Sequence, residues 1–551
     1  MDQTVTALQE IFGPLKEIGV VIGEARPLSF MFMIRPELSD TIPVWEYVIT
    51  PLNKGIVVAQ IQNAVSFSSI LSKELEFSAA SKLISAGIEE FKHLREARVL
   101  AYIEDINGFM NNGSSDEVTY RPRYVVHPAS PVFLAPKPLL ELLYSGKGKT
   151  IYVGNLVTRG DVKVHFSIRG FMRHVAIIAQ TGAGKSYLVG VIIEELLRQG
   201  ATIIVIDPHA DHIKLTIPTE GWPPSLAERV KVFSPQDNLT RYADVKNIRK
   251  LLIKFSDLTP HEIFYITGVH EKYTRIRRTI NEAMRQIKNS GAEITIQSLI
   301  QLLENMAKQG GKAGEVAESA LNYLQKLQGL SIFGDRTTIL IEELLKPKQV
   351  CIIDLSGISD READLITYLI LKKLIDVKME GRDHSYKFPV FLIVEEVHKF
   401  APPSQAGETL SLPLFKRVAG EGRKFGLFLI AVSQRPSKIN PDVLSQCNSQ
   451  IIMRITNPVD QRTVLEASER LGEYLFEDLP GLDRGEAIVV GEITSLPVIM
   501  KVRKRHTMEG GADIDVDRLL DEALRCVDEE ERERETLRKD WDNFIRWSRP
   551  I

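Results

Sequence analysis

The chain has three cysteines among its 551 residues, Cys351, Cys447 and Cys526, and none is spaced as a metal knuckle. That excludes a disulfide framework and a zinc ribbon, and it fits a reducing compartment, so a cytoplasmic location is expected. Long apolar runs are missing, and the acidic opening MDQTVTALQE has no basic lead-in to a secretory signal. No membrane contact is therefore expected. Excess positive charge is missing too. The net charge is −3, so nucleic acid can be attracted only by a local basic lining. There is no N-K-x-D-type segment of the kind that reads guanine, which speaks against a GTPase. Charged residues at 26% and hydrophobics at 44% are ordinary for globular chains, and the length calls for two or three domains.

The most informative segment is Ala179–Ser186, AQTGAGKS, which follows the apolar run His174–Ile178. A strand feeding a small-residue loop, with Lys-Ser opening a helix, is how backbone N–H groups and a helix end converge on phosphate. Ala179 stands where the pattern G-x-x-x-x-G-K-[ST] has its first glycine; Gly182, Gly184, Lys185 and Ser186 are intact. Lys185 can reach the β- and γ-phosphates, and Ser186 can ligate magnesium. Thr181, Gly182, Ala183, Gly184, Lys185, Ser186 and Tyr187 are thus expected around ATP and Mg2+.

The first 160 residues are dominated by short β-branched segments (Val20–Ile22, Phe30–Ile34, Tyr47–Ile49, Gly55–Gln60) punctuated by proline, which suggests a small barrel or sandwich. A helix is expected near Glu74–Ala97, a turn-rich loop at Asn107–Ser115, and further strands at Tyr124–His127 and Ile151–Val153. From Val162 strands alternate with helices. Ala201–Ile206, Val350–Leu355, Phe391–Val394, Leu427–Val432 and Ile451–Ile455 are near-continuous apolar runs, as in a parallel sheet covered on both faces. Gly485–Val490 and Val498–Val502 close the series. Residues 236–334 break the rhythm and suggest a helical insertion, with Val245, Ile248, Leu252 and Phe255 on one helical face and Val316, Ala320, Leu324 and Leu327 on another. The expected division is 1–160, 161–505 and a charged helical arm over 506–551.

Three features add hydrolysis to binding. The strand Phe391–Val394 ends in Glu395 and Glu396, so one carboxylate can support the metal and the next can polarise the attacking water. Leu427–Val432 ends in Ser433-Gln434-Arg435-Pro436, where Gln434 can sense the γ-phosphate. Glu421-Gly422-Arg423-Lys424-Phe425-Gly426 precedes that strand and offers an arginine to the site of an adjoining subunit. Asp207, ending IDPHAD, can bridge the nucleotide site to a channel, and His209 and His212 lack the companions a metal site needs. Lys214, Lys399 and Lys438 are candidates to line a pore.

The ordered series Arg173-His174, AQTGAGKS, IDPHAD, CIIDLSGIS, VEEVHKF, EGRKFG, SQRP and GEAIVVG resembles the archaeal HerA translocases of the HerA–FtsK group, over roughly Arg173–Val502. The resemblance implies an α/β fold: a RecA-like P-loop ATPase core with a helical insertion and an N-terminal small β-barrel. It implies a homo-hexamer with DNA in its central pore, contacted without sequence specificity, and a NurA-type nuclease as partner in resecting DNA ends. It also implies roles: Lys185 and Ser186 on nucleotide and metal, Glu395 supporting the metal, Glu396 as base, Gln434 as sensor, Arg423 acting in trans, and Arg173 and Asp207 in the same network. Relatives often carry an arginine where this chain has Gly420, which leaves Arg417 in reserve. A conjugation- or secretion-type motor and an ATP-gated clamp remain alternatives.

Overall fold

The computed structural model describes residues 2–68, 91–112, 118–119, 124–235, 244–245, 247–381, 386–404, 407, 409–468, 473–510 and 516–547. Near the N-terminus, strands Glu17–Arg26, Ser29–Ile34, Tyr47–Leu52, Gly55–Ser68, Phe91–Ile103 and Pro131–Leu134 close into an antiparallel barrel of six strands. Closure comes from Ser29–Ile34 pairing with both Glu17–Arg26 and Phe91–Ile103, which leaves the barrel without a free edge.

Three expectations fail here. Phe91–Ala97 is strand, because a long hairpin with Gly55–Ser68 satisfies its backbone; the rest of the expected helix, 74–90, lies outside the described residues. Ile106–Asn112 is a short helix, because Ile106 and Phe109 bury one turn despite the glycine and asparagines; residues 113–115 of the expected loop lie outside the described residues. Tyr124–His127 forms no strand, and Pro131–Leu134 takes the pairing instead.

The larger unit is a sheet of twelve strands. Its order is Ile248–Lys250, Val230–Ser234, Gln349–Asp354, Thr202–Asp207, Val390–Val394, Leu427–Ser433, Val175–Ile178, Ser449–Ile452, Glu486–Val490, Val498–Val502, Thr150–Leu156 and Lys163–Ser167. The first eight are parallel and the rest antiparallel. The central strands are buried on both faces. Ile204 and Ile206 pack into one layer with helix Asp360–Ile375, and Ile203 and Val205 into the other with helix Lys185–Arg198. This is why they read as unbroken apolar runs. Thr150–Leu156 and Lys163–Ser167 pair with each other and extend this sheet, so the expected boundary at 160 falls between two strands of one hairpin.

Among its described residues the insertion carries four helices of at least eight residues, Pro260–Thr267, Thr274–Asn289, Ile296–Lys308 and Gly311–Gln325. The helical face expected over 245–255 does not form. Ile248–Lys250 is the outermost strand of the sheet, Ile253–Lys254 pairs with Phe333–Gly334, and Phe255–Asp257 is a 3-10 turn. The last helix, Val516–Trp547, leaves Leu520, Leu524, Val527, Leu537 and Trp541 exposed.

Candidate active site

Parallel order brings the decisive side chains to one end of the sheet. Val175–Ile178 lies beside Leu427–Ser433, with Ile178 opposite Ser433, and that strand lies beside Val390–Val394. The carboxyl ends of three strands therefore meet, which is where open α/β sheets bind ligands. Val175–Ile178 is wholly buried and ends in the loop that opens helix Lys185–Arg198. Gly182 (φ +79°) and Gly184 (φ +101°) hold left-handed backbone that an L side chain disfavours. A Cβ at Gly184 would also lie 3.4 Å from the Gly485 nitrogen, which itself donates to the Ala183 carbonyl at 2.9 Å. Thr181 and Gly182 are exposed, and Ala183 anchors the loop from beneath.

Lys185 is buried, and its Nζ donates to Glu395 Oε2 at 3.0 Å and Glu396 Oε1 at 2.5 Å. Successive residues of a strand point to opposite faces. Here both carboxylates reach one ammonium because Glu396 turns into left-handed backbone at φ +47°. An observed outlier of this kind costs free energy and marks functional sites. Burial alone would raise the Glu396 carboxyl, but the hydrogen bond from His398 and the charge of Lys185 bring it down to about 2. His398 Nδ1 lies 3.2 Å from Glu396 Oε2 and 3.0 Å from Ser433 Oγ. Burial opposes the charge on Lys185, and the two glutamates outweigh it and raise the ammonium above its ordinary value. Gln434 stands at the loop: Thr181 Oγ1 donates to its Oε1 at 2.7 Å, and its backbone N–H points to Glu396 Oε2 at 3.4 Å.

Other candidates lie elsewhere. Asp207 is fully buried, and both its oxygens accept backbone N–H groups of the loop that follows it, from His209, Asp211 and His212. Burial, helped by the charges of Asp211 and Glu395, raises its carboxyl to about 7 against the opposing effect of His212. Asp207 shapes a loop, and among the described residues neither Lys185 nor Ser186 makes a hydrogen bond or ion pair with it. The Tyr187 hydroxyl oxygen accepts the Arg505 backbone N–H at 2.8 Å, and its ring lies 5.7 Å from that guanidinium. The sequence reading placed it at the nucleotide, but the strap after Val498–Val502 claims its hydroxyl.

Arg173 and Arg423 sit at the other end of the sheet. Arg173 precedes Val175–Ile178 and Arg423 precedes Leu427–Ser433, so about 13 Å of strand lies between Arg173 and the loop end of the sheet and about 23 Å between Arg423 and that end. Both are exposed, and among the described residues neither guanidinium has an ion pair or side-chain hydrogen bond. Between them, buried His174 accepts the Leu429 N–H at 2.9 Å, and burial lowers its pKa to about 4. Arg417 pairs with Glu380 at 2.8 Å. Of the pore candidates, Lys399 meets Asp360 at 3.3 Å, Lys438 is exposed and Lys214 is half-buried.

Sequence reading missed two residues. Ser186 Oγ donates to Asp211 Oδ2 at 2.7 Å, and fully buried His212 meets Glu395 Oε1 at 2.8 Å through Nε2. The only available signal was that both follow Asp207 closely at a strand end.

The donor set at this end is hard oxygen: the Ser186 hydroxyl, itself held by the Asp211 carboxylate, and the Glu395 carboxylate. It suits magnesium, which binds through one or two protein oxygens together with phosphates and waters and needs no all-protein cage. Among the described residues there is no cluster of three His, Cys, Asp or Glu able to hold a metal without such help.

A doubly covered parallel sheet with a phosphate-binding loop, and a carboxylate pair at the end of a nearby strand, define a P-loop ATPase with a RecA-like core and an N-terminal barrel. The family model described as "Helicase HerA, central domain" matches residues 151–374. The "Probable DNA double-strand break repair helicase HerA" of Methanocaldococcus jannaschii is 32% identical over 437 residues, covering 72% of this chain and 84% of its own. The DNA double-strand break repair helicase HerA of Pyrococcus furiosus is 28% identical over 557 residues, covering 90% and 93%. The chain belongs to the HerA helicase family. Among solved structures, VirB4 of Thermoanaerobacter pseudethanolicus is 15% identical with a TM-score of 0.48, covering 65% of this chain and 98% of that one.

Proposed function

We propose that this protein is an ATP-driven DNA translocase and helicase that works as a homo-hexamer, with DNA passing through the central pore. The observation that carries the reading is the single ammonium of Lys185 shared by Glu395 and Glu396 at the mouth of the phosphate loop. Lys185 is the group that binds the β- and γ-phosphates. In the resting pair the hydrogen bond from His398 and the charge of Lys185 keep Glu396 ionised; a move of Lys185 to the triphosphate lifts part of that hold and makes the carboxylate a stronger base for the proton of the attacking water. Ser186 and Glu395 would hold magnesium, which would supply positive charge to neutralise the phosphates. Gln434, hydrogen-bonded to Thr181 and next to Glu396, reports the γ-phosphate to the adjoining strand end.

The transferred group also needs a positive charge. Arg423 lies across the sheet from its own loop, so it serves the site of the next subunit, with Arg173 beside it and Arg417 in reserve. A trans arginine has no use in a monomer, and this supports a ring. Pore contacts to DNA are chiefly to phosphates, hence without sequence preference and sensitive to salt. A NurA-type nuclease is the expected partner in processing DNA ends for repair. The conjugation- or secretion-type alternative is weaker, since none of the described helices is long and apolar enough to cross a membrane, though such motors often carry one that is. The clamp alternative is weaker because a pure binder has no need of Glu396.

The test is ATP turnover with and without duplex DNA, alongside the native mass of the assembly. DNA stimulates the wild type, and Glu396→Gln lowers turnover about 100-fold or more while nucleotide still binds. Equal turnover in the two proteins favours the clamp, and full-rate hydrolysis by a stable monomer removes the ring.

A further inference from the structure

The loop after strand Thr202–Asp207 is built around one buried carboxylate. Asp207 Oδ1 accepts the N–H of His209 at 3.3 Å and of Asp211 at 3.1 Å, and Oδ2 accepts that of His212 at 2.9 Å. Ala210 takes left-handed backbone at φ +61° in the middle of this turn. Behind it the backbone of Gly510 packs so closely that a Cβ there would come within 2.7 Å of the Asp211 carbonyl oxygen. Three N–H groups on one acceptor, braced from behind, give the loop one conformation.

That conformation aims two side chains at two different elements. Asp211 Oδ2 receives the Ser186 hydroxyl at 2.7 Å, at the start of the phosphate-loop helix. His212 Nε2 meets Glu395 Oε1 at 2.8 Å, at the end of strand Val390–Val394. Its ring is fully buried, and Nδ1 has no hydrogen-bond partner. The whole polar capacity of the imidazole is therefore spent on Glu395. A buried ring with one nitrogen unsatisfied is a costly way to fill space, since an apolar side chain of similar size would carry no such penalty.

We propose that Asp211 and His212 are positioning residues of the magnesium site. One rigid loop orients the hydroxyl of Ser186 and the carboxylate of Glu395 together. Magnesium demands near-octahedral geometry, so a ligand free to rotate costs affinity. Outer partners of metal ligands typically contribute 10- to 100-fold in affinity or activity. The loop also explains why Asp207 is buried behind the site and not in it: its carboxylate holds the turn that aims the other two. The inference rests on the reading of Ser186 and Glu395 as the metal-holding pair.

The test measures ADP binding to the full chain by calorimetry, with magnesium and with a chelator. In the wild type magnesium tightens binding. His212→Ala and Asp211→Asn each cut that gain about 10-fold and leave metal-free ADP binding unchanged. The magnesium concentration for half-maximal turnover rises by a similar factor, and His212→Gln, which keeps a donor, recovers part of it. An unchanged magnesium gain in both variants overturns the proposal, and so does a loss of affinity that is equal with and without metal, which marks a merely structural loop. If His212→Ala does not fold, the half-buried Asp211→Asn decides alone. Ser186→Ala and Glu395→Gln separate the two layers of the argument. If these leave the magnesium gain intact, the assignment of the metal ligands has failed, and the loop is not at fault.

Discussion

The two ends of the parallel strands are chemically opposite. At the carboxyl end, Lys185, Glu395, Glu396, His212 and His398 are drawn into one buried network in which the charges lean on one another. At the amino end, Arg173 and Arg423 stand in the open around a neutral, buried His174. One end is internally balanced, and the other presents two cations that have no ion pair among the described residues. A site that neutralises its own lysine with two glutamates still lacks a cation for the phosphoryl group in flight. The missing charge and the surplus charge lie at opposite ends of the parallel strands, so a second copy related by rotation about a ring axis can bring them together.

The sharpest way to break this comparison is to remove the surplus charge. Arg423→Ala is expected to lower turnover about 1,000-fold with little change in nucleotide affinity. Mixing it with Lys185→Ala chains tests the geometry, because assemblies holding both variants contain some interfaces with an intact lysine facing an intact arginine. Partial recovery of turnover on mixing supports service across the interface, and none indicates that Arg423 acts only within its own chain.

A smaller effect tests the balanced end. The Glu396 carboxyl is depressed from its ordinary 4.5 to about 2, so its ion pairs contribute stability above about pH 4.5 that is lost as pH falls toward 2. The contribution is on the order of 3 kcal/mol. Urea unfolding across that window is expected to show a shallower acid loss in Glu396→Gln than in wild type. An identical slope means that the contacts of Glu396 with His398 and Lys185 add nothing to the fold.

The smallest effect concerns the join between barrel and sheet. Trp45 Nε1 donates to Asp478 Oδ2 at 3.0 Å. Trp45→Phe is expected to cost about 1 kcal/mol in unfolding free energy and to leave turnover nearly intact. A large fall in turnover would mean that this contact also governs the engine.

Much of the balanced end was legible in the sequence, because each part is local. AQTGAGKS, the Glu-Glu pair after an apolar strand and Gln434 after the next one each declare themselves within a few residues. What stayed hidden depends on distance. His212 looks like a stray histidine until Glu395, 183 positions further on, closes on it. Asp207 looks like a ligand, because nothing local reveals that its oxygens are taken by its own loop. Phe91–Ala97 contains good helix formers, and pairing with Gly55–Ser68 overrides them. Val245, Ile248, Leu252 and Phe255 fit a helical repeat by count, while parallel pairing beside Val230–Ser234 claims Ile248 for the sheet. Spacing cannot separate those outcomes, and the partner strand decides them.

The seam at Thr150–Leu156 has a mechanical consequence. This strand carries the chain out of the barrel region and is stitched to Val498–Val502 so tightly that a Cβ on Gly154 would strike the Lys501 carbonyl oxygen at 2.1 Å. A larger residue there would prise the stitch open. Whatever pulls on this strand thus pulls on a row of inter-strand hydrogen bonds, and only three strands, Val498–Val502, Glu486–Val490 and Ser449–Ile452, lie between Thr150–Leu156 and the phosphate loop's own strand. A tug on Thr150–Leu156 arrives at the engine as a shear of the sheet itself, carried by the hydrogen bonds of the strands between them.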